Sequence, residues 1–300
     1  MLKGIDVSYA QGKPDWTLVK ESGEVDFVYV KASDGIAPNG PDVSFKYNWD
    51  SLLKLGIPRG AYHFYQASKD PVKQAEIFFS IVGELRTEDL PPVIDVEVHP
   101  VNGQTTSQYA ENVKKFMEKA EELFKRKLVV YTGGPIFNSS TKGAPEDVLN
   151  FISNRDLWLS AYVVNPNKFI PIAWSNRKKA WTIWQKSGDI GANNSPGKRI
   201  KGIRGVVDFN EFSNEILDLN DWIRSSYLTQ ENNVITPKDS VDTNEEIITK
   251  PHVDDHHIEV VIEQPTPVPF PTPEPHTKNW FYIFLGYIRF IISFIIRGNK

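Results

Sequence analysis

Pro92-Val-Ile-Asp-Val-Glu-Val98 carries more information about this chain than any other stretch of it. Val93, Ile94, Val96 and Val98 are β-branched and apolar, so residues 92–97 read as a short strand buried on both faces. Asp95 and Glu97 stand two positions apart and project from the same face, with Cα atoms roughly 6.5 Å apart. Ionised carboxylates lose hydration when buried, so a pair on one face of an apolar strand is costly. Acid/base chemistry explains such a pair, one carboxyl keeping its proton because of the other's charge. The plainer alternative is a strand-end pair that is solvated or bound to backbone amides.

Outward from this strand, β-rich apolar runs recur through the first 210 residues, at 4–8, 26–31, 59–65, 92–97, 128–132, 157–162, 181–185 and 205–209. Helical patterns fill the earlier gaps, at 14–21, 44–55, 71–85, 106–126 and 145–153. Asp70 suits an N-cap, with Pro71 at the first helical position. Tyr109, Val113, Phe116, Ala120 and Leu123 recur at three- and four-residue steps and form an apolar stripe. Strands alternating with helices imply right-handed βαβ units and a parallel sheet. Eight strands imply a closed, TIM-like α/β barrel. The last three strands lack long intervening helices, so the outer ring should be incomplete, with 218–225 as a closing helix.

Beyond about Leu228 the composition changes. Residues 229–278 hold ten acids against three lysines, ending in a proline-rich run at 265–275, and residues 279–300 hold three bases and no acid. The first 228 residues are neutral, with 28 bases and 28 acids. A neutral body disfavours nucleic acid, which calls for a basic surface. The acidic and proline-rich stretch is poor in core residues and reads as an extended linker. Residues 280–297 are apolar except for Arg289 and Arg297, and about 25 Å of helix is at the lower limit for a bilayer core. The expected organisation is therefore a catalytic barrel at 1–228, a disordered linker at 229–278 and a membrane-associating hydrophobic helix at 279–300. The N-terminus runs straight into a strand pattern without an apolar leader, so no cleaved signal peptide is expected. Cysteine is absent, which excludes disulfides and thiolate chemistry.

Asp6 and Asp208 also fall at strand ends, and strands one and eight are neighbours when a barrel closes. Four carboxylates on one rim suggest glycoside hydrolysis or a hard-metal site. Taken singly, either aspartate could equally be capping backbone. Tyr62, Phe64, Tyr131, Tyr162 and Trp184 crowd the same ends, where aromatic rings could stack on sugars. Core packing is the commoner role for any one of them. His63 and His99 are the only histidines in the first 228 residues, which disfavours a histidine metal site, and no cofactor is expected. Asp254-Asp255-His256-His257 in the tail reads as a solvated charge run rather than a metal ligand set.

Six motifs then fall in order: Gly4-Ile-Asp-Val-Ser8, Lys31-Ala-Ser-Asp-Gly35, Gly60-Ala-Tyr-His-Phe64, Asp95-Val-Glu97, Trp184-Gln185 and Val207-Asp-Phe-Asn210. Together they resemble glycoside hydrolase family 25, the Chalaropsis-type lysozymes, over about residues 2–225. The resemblance implies a flattened (β/α)5(β)3 barrel that hydrolyses the β-1,4 bond between N-acetylmuramic acid and N-acetylglucosamine in bacterial peptidoglycan. It implies Glu97 as general acid, Asp95 as its helper at the acetamido group, and Asp6 and Asp208 as the remaining acids. Asp34 departs from the Glu or Thr frequent in relatives. Such an enzyme acts on the cell wall as a monomer, in a phage or bacterial lytic role. The alternative from another class is a wall-binding module that has lost turnover.

Overall fold

The structure is a computed structural model that describes residues 1–36, 40–188, 197–213 and 218–228. Its strands are β1 (Lys3–Val7), β2 (Phe27–Asp34), β3 (Arg59–Phe64), β4 (Val93–Asp95), β5 (Val129–Thr132), β6 (Asp156–Ser160), β7 (Ile183–Ser187) and β8 (Asp208–Phe212). They close into one barrel in chain order. Around it lie α1 (Trp16–Ser22), α2 (Phe45–Leu55), α3 (Pro71–Val82), α4 (Thr106–Phe124), α5 (Gly134–Ser140), α6 (Glu146–Ser153), α7 (Ile172–Ser175) and α8 (Leu219–Ser225). The tail at 229–300, with its linker, hydrophobic segment and Asp254–His257 run, lies outside the described residues. Among the described residues no helix is long and apolar enough to cross a membrane.

Local chemistry accounts for the helix starts. The Asp70 side chain accepts from Lys73 N ahead of Pro71. Thr105 and Gln108 form a reciprocal capping box before α4, whose stripe Tyr109, Val113, Phe116 and Ala120 is buried. Gly133 is the N-cap of α5, with Pro135 in the first turn.

The barrel is not wholly parallel, which corrects the expectation. β1 to β7 pair in parallel, but β8 runs antiparallel to both β7 and β1. A parallel return needs a crossover of a dozen or more residues, usually a helix. None of the residues described between Ser187 and Asp208 is helical. Asp208 therefore begins β8 rather than ending it. Reversal nonetheless puts that beginning at the rim where the other strands end, with Asp6 opposite Asp208.

A second correction concerns β4, which stops at Asp95 and leaves Glu97 beyond the strand. The chain stays extended, because Val96 N donates to Tyr131 O at 2.8 Å and Thr132 Oγ1 donates to Val96 O at 2.7 Å. Val96 is buried in the outer layer, so Glu97 keeps the inward side with Asp95.

The strands divide two apolar layers. Ile5, Val28, Val30, Ile94, Val130 and Leu159 face outward against Phe78, Val113 and Phe116 of the helices. Inside, Phe27, Tyr29, Val93, Val129, Trp158 and Phe212 form a plug, closed below by Trp222 and Ile223 of α8. Trp158 is the hub, its ring 4.8 Å from Tyr29 and 4.9 Å from Tyr131. Gly4 and Gly60 make this plug possible: a Cβ at either would sit 2.2 Å from the ring of Phe27 or Tyr29 respectively.

The end opposite the rim is tied by buried cations. Arg59 donates to Asp89 through Nε at 2.8 Å and to Trp49 O through Nη1 at 2.5 Å. Arg126 reaches Asp89 O at 3.0 Å, Arg86 O at 2.8 Å and the Tyr227 hydroxyl at 2.6 Å.

Candidate active site

The plug fills the lower barrel and leaves the upper interior to polar side chains. Strand alternation turns Asp6, Lys31, Tyr62, Asp95, Tyr131, Gln185, Asp208 and Asn210 to the inside at the rim. The structure thus brings all four sequence-identified acids to one end of the barrel. Asp6 and Asp95 are buried, whereas Glu97 and Asp208 are partly exposed to the groove above.

Two amides organise the acids. Gln185 Oε1 accepts from the Tyr131 hydroxyl at 2.6 Å and the Tyr162 hydroxyl at 2.8 Å. Its Nε2 is thereby turned toward the carboxylates, 3.1 Å from Asp6 Oδ2 and 3.3 Å from Asp208 Oδ2. Asn210 Oδ1 accepts from the Trp158 indole at 2.8 Å, which leaves Nδ2 to donate to Asp6 Oδ2 at 2.7 Å. An indole N–H only donates, so it fixes which way the Asn210 amide points. Sequence reasoning did not single out Gln185 or Asn210 as site residues, although both lie in the quoted motifs. A polar residue on the inward parity of a buried strand was the available signal.

Burial, with neighbouring carboxylates, raises both members of the carboxyl pair. Burial, followed by the charge of Asp6, pushes Glu97 up to about 7, against the opposing pull of Lys31 and the Tyr131 hydroxyl. Burial, then Glu97, raises Asp95 well above the usual carboxylate range. Asp95 Oδ1 is also buried without a hydrogen-bond partner among the described residues. Burial, with the carboxylates next in weight, holds the Tyr62 and Tyr162 hydroxyls protonated, and they remain donors.

The other aromatics sort by strand parity. Tyr62, Tyr131 and Tyr162 reach the acids, and the Phe64 ring lies 4.8 Å from the Lys31 ammonium. Trp184 does not join them. It faces the outer layer, donates to Ala161 O at 2.7 Å and packs against Trp181, while its neighbour Gln185 takes the inward place. His63 points outward and is fully buried, and the His99 ring bonds Ser140 Oγ at 2.9 Å. Among the described residues no group of three or more His, Asp or Glu is placed to hold a metal ion.

A closed eight-stranded barrel with paired acids after β4 invites comparison with glycoside hydrolases. The family model described as "Glycosyl hydrolases family 25" matches residues 5–193. The chain belongs to glycosyl hydrolase family 25. Its relatives include the autolytic lysozyme of Clostridium acetobutylicum, 32% identical over 219 residues, which cover 72% of this chain. The chain spans only 57% of the length of that relative. Among solved structures, a lysozyme from Streptomyces coelicolor is 29% identical with a TM-score of 0.63, covering 75% of this chain and 97% of that one. A family 25 glycosyl hydrolase from Bacillus anthracis is 26% identical with a TM-score of 0.56, over 72% of this chain and 91% of that one. The family match takes in Asp6, Asp95 and Glu97, and Asp208 lies beyond it.

Proposed function

We propose that this chain is a muramidase that cleaves the β-1,4 bond between N-acetylmuramic acid and N-acetylglucosamine in bacterial peptidoglycan, with Glu97 as the general acid. The observation that carries the reading is the proton-retaining Asp95–Glu97 pair at the rim of a family 25 barrel. Glu97 is the partly exposed member and can reach a glycosidic oxygen; Asp95 is buried beside it, its Oδ1 without a hydrogen-bond partner among the described residues. Asp95 then holds the acetamido group, while Asp6 and Asp208 stabilise positive charge developing on the sugar. Tyr62, Phe64, Tyr131 and Tyr162 line the groove for the saccharide. The (β/α)5(β)3 description fits the long helices between early strands and the short ones after β6. Mass spectrometry of purified wall digests tests the reading: new N-acetylmuramic acid reducing ends are expected, and N-acetylglucosamine ends would refute it. A wall-binding module without turnover would leave a wall suspension turbid.

The pH dependence follows from Glu97. A general acid must be protonated to work, so activity should fall as pH rises through about 7, the value to which burial and Asp6 push this group. Rates on soluble wall fragments from pH 5 to 9 check this, and a plateau extending past pH 9 would remove Glu97 from the role.

We further propose that residues 1–228 act as a self-sufficient, monomeric catalytic barrel, with 229–278 as a linker and 279–300 as a membrane-associating segment. Neutral charge in the first part and an apolar run ending in bases in the last support this division. A chain ending at Leu228 should melt cooperatively and keep full activity on soluble fragments, while only the full chain floats with anionic liposomes. Flotation of neither or of both sinks the membrane part.

A further inference from the structure

Side chains three apart on a regular strand face opposite sides. Lys31 and Asp34 of β2 nevertheless form an ion pair, Nζ to Oδ2 at 3.0 Å. A β-bulge reconciles the two. Lys31 lies opposite Tyr62 and Ser33 opposite His63, so Ala32 is an extra residue with no counterpart on β3. Before the bulge, Phe27, Tyr29 and Lys31 take the inward parity. After it, Ser33 turns outward and Asp34 turns inward beside Phe64, whose partner on β4 is Asp95. Bulges near active sites commonly re-aim a side chain in this way.

The outer side of the bulge is clamped. Ser33 Oγ and His63 Nδ1 lie 2.8 Å apart, and His63 Nε2 is 3.2 Å from Gln74 Oε1, which also accepts from Gln66 N. Burial lowers His63 to about 4, so this clamp keeps its neutral form over the working range. On the inner side, Asp34 Oδ1 accepts from Gln66 Nε2 at 2.7 Å, and the Lys31 ammonium lies over the Phe64 ring. Lys31 is only 6% exposed, an expensive place for an ammonium unless its charge is used.

We propose that Lys31, re-aimed by the bulge and steadied by Asp34, is a positioning residue that acts as the electrostatic counterweight to the Asp95–Glu97 pair. The proposal rests on the muramidase reading only for its consequence in catalysis. Among the described residues, the charged and titratable groups around the pair are Asp6 from β1, Lys31 and Asp34 from β2, Tyr62 from β3, Tyr109 from α4, Tyr131 from β5, Tyr162 after β6 and Asp208 from β8. β7 contributes the uncharged Gln185, and its Lys186 pairs with Glu211 on the outer side. Lys31 is the only cation in this set, and its charge opposes the upward push on both Asp95 and Glu97. Without it, the pair would hold its protons further into the alkaline range. With Asp34 neutralised, the full charge of Lys31 would bear on the pair instead.

The test is a carboxyl-carbon NMR titration of Glu97 in the full chain, without substrate, in three variants. Lys31→Met should raise the midpoint by about 1 pH unit, the scale set by one nearby charge. Asp34→Asn should lower it, and Lys31→Arg should leave it near the parent value. The alkaline limb of the activity profile should move the same way in each. Opposite signs for two partners of one ion pair are not expected of a merely structural contact. An unmoved midpoint in folded Lys31→Met, or shifts of the same sign in Lys31→Met and Asp34→Asn, would overturn the proposal. If Lys31→Met does not fold, the sign for Asp34→Asn decides alone. The titration is independent of turnover, so midpoints that move as stated while Glu97→Gln stays active would refute the muramidase assignment and leave the counterweight standing.

Discussion

Glu97→Gln is expected to lower the rate of wall hydrolysis by at least about 100-fold, the lower range for loss of a general acid. The amide keeps the shape of the side chain but has no acidic proton for the glycosidic oxygen. The barrel should stay folded, because Glu97 lies beyond β4 and the backbone bonds there run through Val96 and Thr132. Stability supplies a second readout of fixed sign. The folded protein holds the Glu97 carboxyl at about 7, above the ordinary value of 4.5, so the native state binds the proton more tightly than the unfolded chain. Native stability is therefore eroded as pH rises through this window, and Gln removes the erosion. The variant should melt with the parent at pH 4 and above it at pH 8. Near-parental turnover, or a variant less stable than the parent at pH 8, would count against the assignment.

Asp89→Ala should be the most damaging single change far from the groove, costing about 3–5 kcal/mol, as expected when a buried ion pair loses one partner. Arg59 and Asp89 are 5% and 2% exposed, so the guanidinium would be left charged and short of acceptors. At roughly 2–4 °C per kcal/mol for a domain of this size, the melting temperature should fall by about 6–20 °C. The exposed Lys46–Asp50 pair has a similar distance of 2.7 Å but is open to water, and breaking it should cost under about 1 kcal/mol. Below its melting temperature the Asp89 variant should keep its turnover, since the network sits at the opposite end from the acids. Calorimetry with a matched activity assay separates the two effects, and equal losses in both variants would show that burial does not set the cost.

The sequence made the eight strands and the four acids legible because β-branched runs and acid-ended strands are local patterns. What it hid was non-local. Period-two alternation carries no strand direction, so the reversal of β8 could not be read, although Asp208 still arrived beside Asp6. A bulge is one residue of slippage against a partner strand, so the inward turn of Asp34 was equally invisible. Trp184 illustrates a parity error: aromatic affinity for sugars favoured the tryptophan, whereas strand alternation gave the interior to Gln185. Gln185 and Asn210 carry no charge and match no spacing rule. Inward parity on a buried strand marks them as candidates, and their role becomes clear when the tyrosines and Trp158 are seen to fix their amides.

The reversal of β8 also determines where the chain leaves the barrel. β8 starts at the rim with Asp208 and runs away from it, and α8 then closes the lower end. There Leu228 N bonds Lys125 O, and Tyr227 stacks beneath Arg126 at 3.9 Å. A parallel eighth strand would have delivered the chain to the mouth of the groove, where any attached mass would compete with a long polymer for space. Instead the attachment point is at the rear. Grafted to a solid support through residue 228, the enzyme should present its open cleft to solution, whereas grafting through the loop after β1, beside Tyr9, should obstruct it.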